Sequence, residues 1–248
     1  MNFMHANLPY LLAGISVGGQ YALIAIGYTM VYGILRLINF AHGDVFMIAG
    51  LIMVYAAASL PLYIAIPLVL VVTVVIGFLI ERVAYEPLRS APRMSVMISA
   101  IGVSYLLQNL ALYVTGGLSK MYPTIPFISD SVTIGTATTK MVTLITPVLT
   151  LVLVVVLVLF IQKTKIGMAM RAVSKDFETS QLMGIKINSV ISATFIIGSF
   201  LAAVGSLLYF TNYAGVIPTS GAMPGLKAFV AAVFGGIGSI PGAVIGAF

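Results

Sequence analysis

Three side chains that could bind a polar solute lie in the run Ile-Asn-Phe-Ala-His-Gly-Asp, residues 38–44. The apolar segment after them, Val45–Leu60, extends only about 24 Å as a helix, whereas the hydrocarbon core of a membrane is about 30 Å thick. A full crossing would draw Asn39, His42 and Asp44 into the bilayer, where ionisable groups usually face a cavity or a partner. If the run is helical, Asn39 and His42 share one face. Alternatively, the run is a tight turn in which Asp44 caps the next helix.

The first apolar segment, Leu8–Leu35, is longer than a crossing needs, because a straight helix of its length extends about 42 Å. It could tilt. It could instead unwind at the Gly-Gly pair before Gln20 and Tyr21, so that these side chains reach a water-filled cavity. Alternatively, Gly14 and Gly18 form a small-residue face that packs against another helix.

Two amides, Gln108 and Asn109, lie in a later apolar segment. Such amides more often form hydrogen bonds between helices than contact a substrate, but Gln108 is kept as a candidate for the substrate path. The candidate substrate-path residues are therefore Gln20, Tyr21, Asn39, His42, Asp44 and Gln108.

The composition excludes a soluble enzyme. Hydrophobic residues make up 60% of the chain and charged residues 7%, against about 25% charged in typical soluble domains. The chain has no Cys, which excludes thiol catalysis, and no GxxxxGK(S/T), HExxH or GxSxG motif. His42 and Asp44 are too few to form a metal site. We therefore expect no catalytic residue, no metal and no cofactor bound by this chain. Nucleic acid is not an expected partner, because the basic residues are dispersed between apolar runs.

The apolar segments predict an all-α polytopic transmembrane bundle with about seven spans and the N-terminus outside. The predicted spans are Leu8–Leu35, Val45–Leu60, Leu62–Ile80, Met94–Val114, Met141–Ile161, Asn188–Thr211 and Lys227–Phe248. With this topology, nine of the 12 Lys and Arg residues lie on the inner side, as the positive-inside rule requires. These nine are Arg36, Arg82, Arg89, Arg93, Lys163, Lys165, Arg171, Lys175 and Lys186.

The charges at the end of the third span are expected to form helix-stabilising pairs at the inner surface. They are Glu81, Arg82, Glu86 and Arg89. Residues 1–248 are interpreted as one transmembrane domain. Because the chain stops inside an apolar, Gly-rich run, we expect this domain to be incomplete at the C-terminus.

The longest inner loop, Gln162–Ile187, is too polar to span a membrane and too regularly patterned for a plain linker. Its pattern predicts short amphipathic helices at the cytoplasmic face that end at Gly184. Such helices could dock a cytoplasmic partner. Alternatively, they could lie on anionic lipid.

Three segments resemble the permease family of branched-chain amino acid ABC importers, and the likeness extends over nearly the whole chain. They are YALIAIGYTMVYGILRLINFAHGD at residues 21–44, ERVAYEPLR at 81–89 and KAFVAAVFGGIGSIPG at 227–242. The INFAHG run is the most specific part. The resemblance is strongest to the shorter permease of the leucine/isoleucine/valine systems.

The resemblance implies a bacterial inner-membrane importer with a second homologous permease, two cytoplasmic ATPase subunits and a periplasmic binding protein. ATP and Mg would then be bound by the partner ATPases. Permeases of ABC importers dock on the ATPase through an EAA-x3-G loop. Here Glu178 and Gly184 match that pattern, Thr179 and Ser180 replace its alanines, and its later Leu-Pro portion is missing. The implied ATPase-coupling residues are Ser174, Asp176, Glu178, Thr179, Ser180 and Gly184.

Alternating access driven by the partner ATPases is the expected mechanism, with an aliphatic amino acid as the solute. Urea or short-chain amides are an alternative, because the family includes permeases for them. A passive channel and a structural scaffold without a path are rival classes. The first predicts uptake without ATP, and the second predicts that no polar residue in the spans matters.

Overall fold

The computed structural model describes residues 3–89, 91–134 and 137–248. The described chain is mainly helical, which confirms the predicted all-α fold class. Its α-helices are α1 Phe3–Leu35, α2 His42–Ser59, α3 Leu62–Ile80, α4 Arg93–Thr115, α5 Met141–Lys163, α6 Lys165–Lys175, α7 Phe177–Leu182, α8 Ile187–Asn212, α9 Ala222–Phe234 and α10 Ile240–Ala247. Four short strands, β1 Lys120–Met121, β2 Ser131–Ile134, β3 Ala137–Lys140 and β4 Gly215–Val216, form the antiparallel pairs β1–β4 and β2–β3.

Six helical segments of the described chain are long and apolar enough to cross a membrane. They are Asn7–Leu35, His42–Ser59, Leu62–Leu88, Arg93–Thr115, Met141–Lys163 and Ile187–Asn212. These segments correspond to the first six predicted spans. The protein is therefore a multi-pass membrane protein.

The predicted seventh span, Lys227–Phe248, is wrong, because the structure divides it into α9 and α10. As helices of 13 and 8 residues, they extend about 20 and 12 Å, too short to cross about 30 Å of hydrocarbon. Between them, Gly236 and Gly238 adopt φ of 89° and 100°, conformations that favour glycine. The Ser239 side chain then accepts a hydrogen bond from the Gly242 backbone N–H and caps α10. The Gly-rich run therefore reverses the chain.

The helices α9 and α10 pack closely as a hairpin. A Cβ atom built on Gly242 would lie 1.9 Å from the Gly235 carbonyl oxygen, and one on Gly246 would lie 2.3 Å from that of Ala231. Only the absence of side chains at these positions allows this approach. The hairpin also contacts α1, where Gly18 lies against Ala247.

The helix α1 is continuous over 33 residues, so the predicted unwinding before Gln20 is wrong. The small-residue alternative is partly correct. Gly18 packs against α10, and Gly19 against Thr146 and Thr150 of α5, whereas a Cβ on Gly14 would meet nothing within 4 Å. Of the two predicted glycines, only Gly18 therefore serves helix packing.

The helix α3 does not end regularly. It continues into one π-helical turn, Glu81–Tyr85, and one 3-10 turn, Glu86–Leu88. This irregular end lies beside the start of α8, because Asn188 donates a hydrogen bond of 2.9 Å to Glu86. The loop after α1 meets the same region, where Asn39 accepts a hydrogen bond from Tyr85. We call this region, with α6 and α7, the basic end of the bundle, because seven of the nine predicted inner cations lie in or next to these elements, while Arg93 begins α4 and Lys163 ends α5.

Candidate functional site

A carboxylate lies at the start of α2 and is held by α4. Asp44 is 2% exposed and accepts hydrogen bonds from the Ser104 hydroxyl and from Gln108 Nε2, the latter at 3.1 Å. Gln108 Nε2 also lies 3.2 Å from Ser104 Oγ. The N-cap of α2 is Ala41, and no side chain caps this end. The alternative in which Asp44 caps the helix is therefore wrong, because its carboxylate is bonded to the neighbouring helix.

Asp44 faces a cavity of about 300 Å³ between α1, α2, α4 and α9. Aromatic and polar side chains line it: Tyr28, Phe40, Asp44, Tyr105, Gln108 and Phe229. The start of α9 closes one side, because a Cβ on Gly225 would lie 3.0 Å from Gly43 Cα. Ion pairs in the described residues are Arg82–Glu86 and Arg89–Glu81, so Asp44 has no cationic partner there. The arrangement is a buried carboxylate facing an aromatic-walled space.

His42, two residues before Asp44, packs in a slot between α1 and α8. A Cβ on Gly27 would lie 2.0 Å from His42 Nε2, and one on Gly198 would lie 3.6 Å from its Cε1. The Tyr28 ring meets the imidazole edge-on at 5.0 Å. His42 Nε2 has no hydrogen-bond partner within the described part of the chain. Through Tyr28, His42 adjoins the cavity wall.

Asn39 points away from the cavity. Its Oδ1 accepts a hydrogen bond of 2.8 Å from the Tyr85 hydroxyl, and α2 begins only at His42. The condition under which Asn39 and His42 would share a helical face is therefore not met, because Asn39 precedes the helix. Asn39 instead joins the α1–α2 loop to the π-helical turn.

Gln20 and Tyr21 lie apart from the Asp44 cavity. Gln20 is fully buried, its Nε2 lies 3.5 Å from the Leu208 carbonyl oxygen of α8, and its Oε1 has no partner in the described residues. The Tyr21 ring lies 5.8 Å below the Lys227 ammonium. Of the six predicted substrate-path residues, the structure therefore brings Asp44 and Gln108 together, with His42 next to them. Whether any of the six contacts substrate stays a prediction.

An ion-pair network at the basic end was missed by sequence reasoning. Glu81 is fully buried, forms an ion pair with Arg89 and accepts a hydrogen bond of 2.7 Å from Ser192. Arg89 also donates to Asn188. The expected pair at helical spacing, Arg82–Glu86, does form at 2.6 Å. The buried pair spans eight residues, and the irregular turns at the end of α3 make it possible.

Within the described residues, no three His, Asp or Glu side chains are close enough to hold a metal ion. A second cavity, of about 360 Å³, opens at the basic end. Four cationic side chains are among those that line it: Arg36, Arg89, Arg93 and Lys175. This cavity lies beside the contact between α6 and the end of α1, next to the irregular end of α3.

The chain resembles proteins of one family over nearly its full length. A family model described as "Branched-chain amino acid transport system / permease component" matches residues 10–248. The chain belongs to this family.

Similar permeases of this family occur in bacteria and in an archaeon. BraD of Pseudomonas aeruginosa, a high-affinity branched-chain amino acid transport system permease protein, is 42% identical over 96% of this chain and 82% of its own. The permease LivH of Escherichia coli is 40% identical over the same shares. A probable LivH of Methanocaldococcus jannaschii is 28% identical over 91% of this chain and 73% of its own. No solved structure matches significantly. The homologues in this permease family are transport subunits, not enzymes.

In this permease, the predicted amphipathic helices of the long loop are present as α6 and α7. Asp176 caps α7 by accepting a hydrogen bond of 3.1 Å from the Thr179 backbone N–H. The loop turns at Gly184, whose φ is 81°. Glu178 is exposed, and Ser180 is buried and donates to the Asp176 carbonyl oxygen. The loop therefore has a defined shape and presents its acidic and apolar side chains outward.

Hydrogen bonds from the side chain and then the backbone of Thr179 hold the pKa of Asp176 below its ordinary value of 3.8. A carboxyl with a lowered native pKa stabilises the fold above its ordinary pKa, and this contribution is lost only as the pH falls through the lowered value. The α7 cap is therefore intact throughout the neutral range.

Ser174, at the end of α6, contacts the loop that leads to Asp44. The Arg36 guanidinium donates a hydrogen bond of 3.2 Å to the Ser174 carbonyl oxygen. Arg36 has a φ of 54°, a left-handed conformation that is unfavourable for residues with a side chain. This contact thus joins α6 to a strained residue six positions before His42.

We expect Arg36→Gly to be more stable than Arg36→Ala by about 1 kcal/mol, because both lose the guanidinium but only glycine relieves the left-handed strain. Thermal unfolding of the purified variants, each compared with the unmodified protein, measures the difference. Equal stabilities would contradict the assigned backbone conformation.

Proposed function

We propose that this chain is the translocation subunit of an ATP-driven importer that moves branched-chain amino acids across the bacterial inner membrane. Its partners would be a second homologous permease, two cytoplasmic ATPase subunits and a periplasmic binding protein. The ATPases would bind ATP and Mg, and this chain would bind no cofactor. Family membership supports the proposal, as does the name of BraD, which is 42% identical to this chain.

The observation that carries the ATP-driven part is the exposed apolar surface of α7. Phe177, Leu182 and Met183 are 40%, 85% and 78% exposed. Exposed large apolar side chains flanked by charged groups are typical of surfaces that contact a protein or a membrane. A docking partner would cover these side chains, and the acidic Glu178 lies among them. We propose that this surface, residues 174–184, binds the ATPase.

A contiguous set of contacts could transmit ATPase motion from this surface to the cavity. Ser174 is bonded to Arg36, and the loop that follows is fixed by the bond of Asn39 to Tyr85. The same loop leads directly into the first turn of α2, where Asp44 faces the cavity. A displacement of α6 would therefore act on the α1–α2 loop, and we propose this route for opening and closing the path.

Reconstitution tests the function. The purified complex in proteoliposomes should take up leucine with the binding protein and ATP, and should fail to do so without ATP. Uptake by this chain alone without ATP would favour a passive channel. Uptake of urea or short-chain amides in place of leucine would favour the other substrate class of the family.

We expect Glu178→Lys to lower ATP-dependent leucine uptake about tenfold or more, because reversing a charge at a docking surface removes a favourable contact and adds a repulsive one. The complex should still assemble in the membrane. Asp130→Lys provides the matched control, since this exposed aspartate lies in the β1–β2 connection, far from α7 in the chain. Unchanged uptake and ATPase coupling in Glu178→Lys would count heavily against the docking role.

A further inference from the structure

The Asp44 cavity combines a buried acid with aromatic walls. We propose that the Asp44 carboxylate receives the ammonium group of the transported solute, so that the cavity selects compounds that carry a protonated amine. This inference rests on the proposed transport function and adds the chemical group that is recognised inside the membrane.

The first argument concerns charge. Asp44 is 2% exposed and lies in a segment that crosses the membrane, and among the described residues no cation pairs with it. An ionised side chain at such a position is costly unless something compensates it. Ser104 and Gln108 are neutral donors, so they satisfy hydrogen bonds without neutralising the charge. A solute ammonium would supply the missing positive charge.

The second argument concerns hydrogen-bonding capacity. An ionised carboxylate offers about four acceptor sites, and Ser104 and Gln108 occupy one on each oxygen of Asp44. Within the described part of the chain no donor occupies the remaining sites, so they can accept donors that enter the cavity. A primary ammonium group carries three donors. The two neutral partners also orient the carboxylate, so a solute would find it already positioned.

The third argument concerns the walls of the cavity. The rings of Tyr28, Phe40, Tyr105 and Phe229 line the space that Asp44 faces. Aromatic faces attract organic cations, and aromatic residues around an ammonium group form a recurring recognition motif. Ile101 and Leu226 add apolar surface for an aliphatic group. Among the described residues, no Lys or Arg lines this cavity, so no cationic side chain of this part of the chain repels a cation there.

The size of the cavity agrees with a small solute. Its volume of about 300 Å³ is at the lower end of the range of about 300–1,000 Å³ for small-molecule sites. An amine with one short aliphatic chain suits this volume. Urea and simple amides lack the positive charge that Asp44 would neutralise, so the proposal distinguishes them from amino acids.

The decisive experiment compares two ligands of the same shape on the purified, unmodified complex. Isoamylamine is protonated at neutral pH, and isovaleramide carries a similar aliphatic chain without charge. Isoamylamine should raise the thermal unfolding temperature in a concentration-dependent manner, because a ligand that binds the native state stabilises it. Isovaleramide should not. Equal shifts with both ligands, or no shift with isoamylamine, would overturn the proposal.

Variants then identify the residue. With Asp44→Asn, the isoamylamine shift should disappear. Leucine uptake should fall at least about tenfold, because losing roughly one charge-assisted hydrogen bond weakens binding by about that factor. Asp130→Asn, the same replacement outside the cavity, should retain both. If Asp44→Asn does not fold, the ligand comparison on the unmodified complex still decides.

The two proposals fail separately. An isoamylamine shift without leucine uptake by the unmodified complex would refute the proposed transport function and leave the ammonium site standing. Leucine uptake that is unchanged in Asp44→Asn would refute the ammonium site alone.

Discussion

Replacing Arg89 by methionine should lower the free energy of unfolding by about 3–5 kcal/mol, the typical cost of leaving a buried charge without its partner. Glu81 is 0% exposed, and its ion-pair partner Arg89 is 19% exposed. The Ser192 hydroxyl would remain as a neutral donor to Glu81 but would not balance its charge. Methionine keeps the apolar stem of the arginine, so the effect reports the lost charge rather than lost packing.

The same replacement at Arg82 provides the control. The side chain of Arg82 is 57% exposed, and its pair with Glu86 is a surface pair at helical spacing. Such pairs contribute about 0–1 kcal/mol. Denaturant unfolding in detergent should therefore separate the two variants clearly. A double variant, Arg89→Met with Glu81→Gln, should regain much of the loss, since it removes both buried charges. Equal effects of Arg89→Met and Arg82→Met would contradict the buried pair.

Gly242→Ala should destabilise the protein by about 1–3 kcal/mol, because an added methyl group in a tightly packed contact forces the backbone apart. The new Cβ would lie 1.9 Å from the Gly235 carbonyl oxygen, and backbone cannot move aside as a flexible side chain can. Thermal unfolding of the purified variant is the measurement.

This replacement also distinguishes the two architectures of the last segment. In one continuous helix over residues 227–248, alanine in place of glycine would stabilise by about 0.5–1 kcal/mol. Gly14→Ala should show that opposite sign within the same protein, because a Cβ there meets nothing within 4 Å and the residue lies inside α1. If both variants gained stability, the hairpin of α9 and α10 would have to be abandoned.

The spans that could be predicted from sequence are those whose signal is local. Apolar length and charge-free composition located six of them, and the amphipathic pattern located α6 and α7. The prediction of a seventh span failed because hydropathy records how apolar a segment is and not whether its backbone continues straight or turns back. The Gly-Gly pair at residues 235–236, Gly238 and Pro241 are sequence signals of a chain reversal, which apolar length alone does not register.

The site was predictable only in part, because its contacts are distant in sequence. Asp44 and Gln108 were each identified as polar groups in apolar surroundings, yet they lie 64 residues apart, and nothing local indicates that they meet. Ser104 was missed, since a lone serine in a span usually bonds within its own helix. Likewise, helical spacing predicts Arg82–Glu86 but not Glu81–Arg89, because the π-helical turn changes which residues face α8.

The helix α8 is fastened at both of its ends. At one end Asn188 and Ser192 are bonded to Glu86 and Glu81. At the other, the Lys140 ammonium donates to the Thr211 and Asn212 carbonyl oxygens, at 3.4 and 3.2 Å. Its 26 residues form a strut about 39 Å long. If this helix tilts at one membrane surface, the Lys140 contact would move the β2–β3 pair at the opposite surface. The helix therefore couples the two faces of the protein.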